Sequence, residues 1–207
     1  MDIEKHTIPE FYAKDRKAWR KWLQVNHLKL QQVWLILHKK SNPDISVSYE
    51  DAVQEALCFG WIDSKPRKKD EHTFLLFFSR RKPKSVWSAS NKKRLVKLIA
   101  NGQMMPAGLE SIEIAKANGS WASIDNVEAM IMPLELEKAF KKNKKASLNF
   151  SAFPASVKKG IYQWISSAKT DATLKKRIFE AVSQAENNIR ANQWTGPIKK
   201  SEGSRFE

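Results

Sequence analysis

One cysteine, Cys58, stands in 207 residues, so neither an intramolecular disulfide framework nor a site of several thiolates can hold this chain together. Glycine is also scarce: seven residues, about 3% against a usual ~7%. No glycine-rich loop of the GxGxxG or GxxxxGK kind is present, which excludes nucleotide binding by those routes. His6, His27, His38 and His72 show no HxxxH or HExxH spacing, so no metal site and no cofactor is expected. The longest apolar runs, at 33–37 and 74–78, fall far short of the ~20 residues that span a membrane. Residues 1–17 carry no apolar core of a signal peptide, and a cytoplasmic protein without membrane insertion is expected.

What is present is helix-forming and basic. Lys, Ala and Leu are abundant, and eight Trp suggest an aromatic-rich core. The net charge of +15 is unevenly spread. Residues 65–100 carry twelve positive and two negative side chains, residues 101–137 one positive and six negative, and residues 138–160 seven lysines and no acid. Such a field favours anionic partners, whether a small ligand or nucleic acid. Lysines alone recognise poorly, so the 138–160 block reads as a solvated surface.

Capping and periodicity give the elements. Asp15 caps a helix to about Val25, with Ala18, Trp19, Trp22 and Leu23 as its apolar stripe. Residues 33–37 form a buried strand, and Asn42-Pro43-Asp44 a loop. Ser48-Tyr49-Glu50-Asp51 opens a helix that stops at Gly60, and a basic loop containing Pro66 follows. Residues 73–79 form a second strand, apolar on both faces and therefore covered on both. Ser88 or Ser90 caps a helix that buries Leu95, Leu98 and Ile99, and Pro106 opens one that carries Leu109, Ile112 and Ala115. A helical set follows, opened by Pro133, Lys145, Pro154 and Thr170, the last with Leu174, Ile178, Val182 and Ala185 inward. The expected fold is α+β and predominantly α-helical: a small β element within 1–121, a helical part at 122–194, and a flexible tail at 195–207.

Chemistry concentrates where the second strand leaves through a basic turn into a helix. Arg80 and Arg81 can fork onto a phosphate or carboxylate, and Ser85, Ser88, Asn91 and Lys92 add donors near a helix N-terminus. Trp87 offers a stacking face or plugs the core. Asp63, following Trp61 after a helix stop, closes a turn through backbone amides or belongs to a pocket. Cys58 lies late in a helix between Leu57 and Phe59, the position of an inert buried thiol. Glu110 and Glu113 share a solvated helix face.

The segment Ala56-Leu57-Cys58-Phe59-Gly60-Trp61-Ile62-Asp63 resembles a signature of the YdeI/OmpD-associated, or bacteriocin-protection, family. Ser48-Tyr49-Glu50-Asp51-Ala52, Arg80 with Ser85-Val86-Trp87-Ser88 and Asn91-Lys92, and Gly102-Gln103-Met104-Met105-Pro106-Ala107-Gly108 are similar to further family segments in the same order. So is Tyr162-Gln163-Trp164-Ile165 in the helical tail. Ser79 departs from the pattern, which often has Pro there. The resemblance implies a link to the bacterial envelope and to stress or bacteriocin protection, and no defined reaction. The leading expectation is binding of an anionic partner through the basic strand-turn-helix. The alternatives are an enzyme with a pocket near Asp63, Arg80 and Asn91, and a protein-interaction module.

Overall fold

The computed structural model describes residues 8–39 and 46–192. The Asn42-Pro43-Asp44 loop and the 195–207 tail lie outside them. Chain contacts divide the protein after Ile124 into two compact units. The fold is α+β and mostly helical, with its β-sheet in the N-terminal part.

The first unit runs β1 (Glu10–Tyr12), α1 (Arg16–Asn26), β2 (Gln32–His38), α2 (Tyr49–Cys58), β3 (Trp61–Lys68), β4 (Thr73–Arg80), α3 (Ala89–Ala100) and α4 (Pro106–Ala117). The sheet order is β1-β2-β4-β3, with β1 parallel to β2 and the other pairs antiparallel. Side chains that accept backbone amides start the helices: Asp15 takes Ala18 N, Ser48 takes Asp51 N, and Ser88 takes Asn91 N. One sheet face packs Val33, Leu35, Leu37, Leu76 and Phe78 into the core with Trp19, Leu23 and Trp61. On the other face Trp34 lies opposite Phe77. Arg67 covers Trp34 at 4.6 Å and Lys65 approaches Phe77 at 5.9 Å, so cationic stems shield that layer.

Two glycines bring α4 against α2. Gly60, at φ 72°, ends the helix and turns the chain into β3; a Cβ there would meet Ala107 O at 2.8 Å. A Cβ on Gly108 would sit 2.2 Å from Cys58 O, beside the hydrogen bond from Met105 N to the same carbonyl. Gly108→Ala is therefore expected to destabilise the fold by about 1–3 kcal/mol or more, because backbone must move. Urea denaturation reads this, and an unchanged midpoint would contradict the close approach.

Glu55 is buried at 2% exposure between Arg16 Nε and Arg20 Nη1, each 2.6 Å from its carboxylate. Arg16 also reaches Asp51, and Arg20 donates to Gln103 O. Burial, with Glu55 nearby, pushes the Cys58 thiol up, as an inert cysteine requires.

Several expectations change. The basic segment with Pro66 is strand β3, not a loop; it lies at the sheet edge, where a shift in register between Asp63 and Pro66 accommodates a residue without an N–H. Ile99 is 51% exposed and Leu109 44%, because their helices turn Leu95 with Leu98, and Gly108 with Ile112, inward.

The second unit contains α5 (Asp125–Glu128), α6 (Leu134–Lys142), α7 (Lys144–Ser151), α8 (Ala155–Ser166) and α9 (Asp171–Glu186). Its core joins Leu136, Phe140, Phe150, Ile161 and Ile165, with Phe140 and Phe150 4.7 Å apart. Of the expected inner line of α9, Ala185 is buried, and Ala181 joins it in place of Leu174, Ile178 and Val182. Small residues at the contact leave the larger stripe half-buried along a surface groove.

Candidate functional site

The end of β4 and the turn after it carry the basic segment. Ser85 N donates to Lys82 O at 2.9 Å, and Lys82 N donates to Ser85 Oγ at 3.2 Å, which closes the turn. Asn118 and Ser120 clamp the turn by donating to Pro83 O. Arg81 N donates to Gly60 O, so the turn is also tied to the end of α2.

The Arg81 guanidinium lies 3.6 Å from the Trp87 ring centroid, and Nη1 donates to Val86 O. Its Nε and Nη2 are buried without a hydrogen-bond partner, as is Trp87 Nε1. Burial pushes the Arg81 pKa down to about 10 against the opposing pull of Asp63. Among the described residues, no carboxylate forms an ion pair with it.

This turn forms one wall of a cavity of about 560 Å³. Arg80, Arg81 and Lys82 supply three successive cations to it. His27 and Gln31 come from the chain between α1 and β2, Gln32 from the start of β2, and Glu110 and Ser111 from α4. Phe59, Phe77 and Ile114 give it apolar surface. His27 Nδ1 lies 2.9 Å from Leu23 O, so Nδ1 carries a proton and donates, leaving Nε2 as the other polar atom of the ring. The cavity can hold an anionic group against an apolar body.

The other residues singled out by sequence take different places. Trp87 is 1% exposed, with Arg81 on it and the Trp121 ring 5.2 Å away, so it fills the core rather than offering a face for stacking. Trp61 is fully buried and donates from Nε1 to His27 O. Ser88 caps α3. Asn91 is buried and accepts from Arg94, whose guanidinium forks onto Glu50 and holds that carboxyl down at about 2. Lys92 lies 5.0 Å from the Trp121 ring. Asp63 accepts from the Tyr49 hydroxyl at 2.9 Å; burial, then Asp63, pushes that phenol up to about 12. Neither Asp63 nor Asn91 lines the cavity.

His27, Gln31, Glu110 and Ser111 escaped the sequence reading as site residues. No local motif joins them to Arg80; the Gly60–Ala107 and Gly108–Cys58 approaches do so in space. Among the described residues, no group of three or more His, Cys, Asp or Glu is placed to hold a metal ion, and no helix is long and apolar enough to cross a membrane.

Comparison with known proteins divides the chain similarly. Residues 11–111 match a domain of unknown function (DUF8412), which covers the sheet from Phe11 onward and the cavity lining up to Ser111. Searches of curated proteins and of solved structures return no match. Residues 129–188 match the family described as Bacteriocin-protection, YdeI or OmpD-Associated. The basic turn and every named cavity residue but Ile114 thus fall within the first match, and α6 through α9 within the second. Over its C-terminal helices, the chain is similar to the bacteriocin-protection, YdeI or OmpD-associated family.

Proposed function

We propose that the N-terminal unit binds a compact anion, a phosphate or carboxylate borne on a small apolar body, in service of the bacteriocin protection that the family name denotes. The observation that carries this reading is Arg81: a desolvated cation, without an ion pair among the described residues, between two exposed cations on one cavity wall. Leaving a buried charge unpaired is costly, and an arriving anion would offset that cost. The buried Arg81 nitrogens are closed to solvent, so Arg80 and Lys82 make the direct contacts while Arg81 supplies field. The buried state of Trp87 favours a small anion over nucleic acid, because the ring that would stack on bases is already packed. The enzyme reading, with a pocket near Asp63, Arg80 and Asn91, has only Arg80 in the cavity lining.

A melting-temperature scan against phosphate, sulfate and aromatic carboxylates, at fixed ionic strength with chloride as control, tests this. At a hundredfold excess over Kd, a bound anion adds ~2.7 kcal/mol, or several degrees in a chain this size. Arg80→Ala with Lys82→Ala should abolish the shift while the unliganded melt stays within about 1 kcal/mol, since both side chains are exposed. No anion-specific shift, or an undiminished one in the double variant, would overturn the proposal. Binding of duplex DNA instead, with a salt slope near −0.9 per phosphate, would favour nucleic acid.

A further inference from the structure

The outer stripe of α9 reads Lys175, Phe179, Val182 and Glu186, a 4-3-4 spacing that aligns all four along one side of a helix. Phe179 is 73% exposed, and beside it opens a groove of about 620 Å³ floored by Ala139 of α6 and by Leu174, Ile178 and Val182. Glu135 and Asp171 line the groove together with Lys142 and Lys175, so it offers no single-signed field to a nucleic acid or an anionic surface.

The stripe is complementary to itself when reversed. Turned antiparallel about its midpoint, it sets Lys175 against Glu186 of the partner subunit and Phe179 against Val182 of the partner subunit, each pair occurring twice. A two-fold interface requires this: one patch must satisfy its own copy. We propose that the occupant of this face is a second copy of the chain, with the two α9 helices antiparallel and each Phe179 seated in the other's groove.

Sedimentation velocity of the full chain from about 5 to 200 μM tests the proposal, the span in which a small hydrophobic interface associates. The expected result is a dimer of the 23.8 kDa chain. Phe179→Glu should weaken association at least about 30-fold, as loss of a central aromatic anchor does, with an unchanged circular dichroism spectrum. Lys175→Glu alone and Glu186→Lys alone should each weaken it, and the two together should restore it, because the swap re-forms both cross-subunit pairs. A chain that stays monomeric throughout, a dimer that survives Phe179→Glu, or a double swap that fails to rescue the single variants would overturn the proposal. The unliganded protein is used throughout, so the result is independent of anion binding in the other unit.

Discussion

Glu55→Ala should lower the unfolding free energy by about 3 kcal/mol, at the lower end of the ~3–5 kcal/mol seen when one member of a buried ion pair is removed. Glu55 is 2% exposed and accepts from both Arg16 and Arg20 at 2.6 Å, so its loss leaves two guanidinium groups facing each other across a desolvated gap. Each arginine is about a third exposed and can turn partly to water, which sets the lower end. Asp51 still holds Arg16. The groups left behind, more than the lost contact, cause the damage. Replacing Arg16, Glu55 and Arg20 together with apolar residues of similar volume should therefore cost much less than Glu55→Ala alone. Urea denaturation with a fixed m-value measures both. A single-site loss under ~1 kcal/mol would show that the three groups are not coupled as described.

Trp87→Ala is expected to cost about 3–5 kcal/mol, the range for truncating a buried aromatic. Trp87 is 1% exposed, packs against Trp121, and carries the Arg81 guanidinium. Its Nε1 has no partner, so Trp87→Phe should lose only volume and fall well short of the alanine cost. Arg81 behaves in the opposite sense. As a buried cation without an ion pair among the described residues, it should tolerate Arg81→Met with little loss of stability, or with a gain. The same change should weaken anion binding. A residue that costs stability and supports binding marks a functional position. Denaturation and the anion melting scan, run on the same variants, separate the two effects. A Trp87→Ala protein as stable as the parent would contradict the core placement of the ring.

The elements legible in the sequence are those with local physical causes. Asp15, Ser48, Ser88 and Thr170 each start a helix by accepting an amide within three residues, so position and chemistry are visible together. The strands at 33–37 and 73–79 announce themselves by short apolar runs. What stayed hidden depends on distant partners. β1 is three residues long and exists only because Phe11 pairs with Leu35 across the whole of α1. β3 continues through Pro66 because β4 lies beside it and because Pro66 sits at an edge with a register shift. On α9 the apolar stripe was visible, yet only its Ala185 is buried, with Ala181 beside it, because close helix contact favours small residues over large ones.

The basic wall of the candidate site was readable because Arg80, Arg81 and Lys82 are consecutive. Its opposite wall was not, since Glu110 and Ser111 reach it only through an approach that two glycines permit. The Tyr49–Asp63 bond and the Arg94 fork onto Glu50 also hid the fates of Asp63 and Asn91, which structure consumes before any ligand arrives.

The anion site is tested most directly by a nuclear magnetic resonance titration that follows the arginine Nε–H, glutamine side-chain amide, histidine ring and lysine side-chain signals as phosphate is added at constant ionic strength. The site predicts saturable, concerted shifts at His27, Gln31, Arg80 and Arg81, the groups that share the cavity. It predicts only weak, unsaturable shifts among the lysines of 138–160, which lie outside it. Shifts confined to that lysine block, or linear drift everywhere without saturation, would contradict a built anion site and leave the basic charge as a solvated surface.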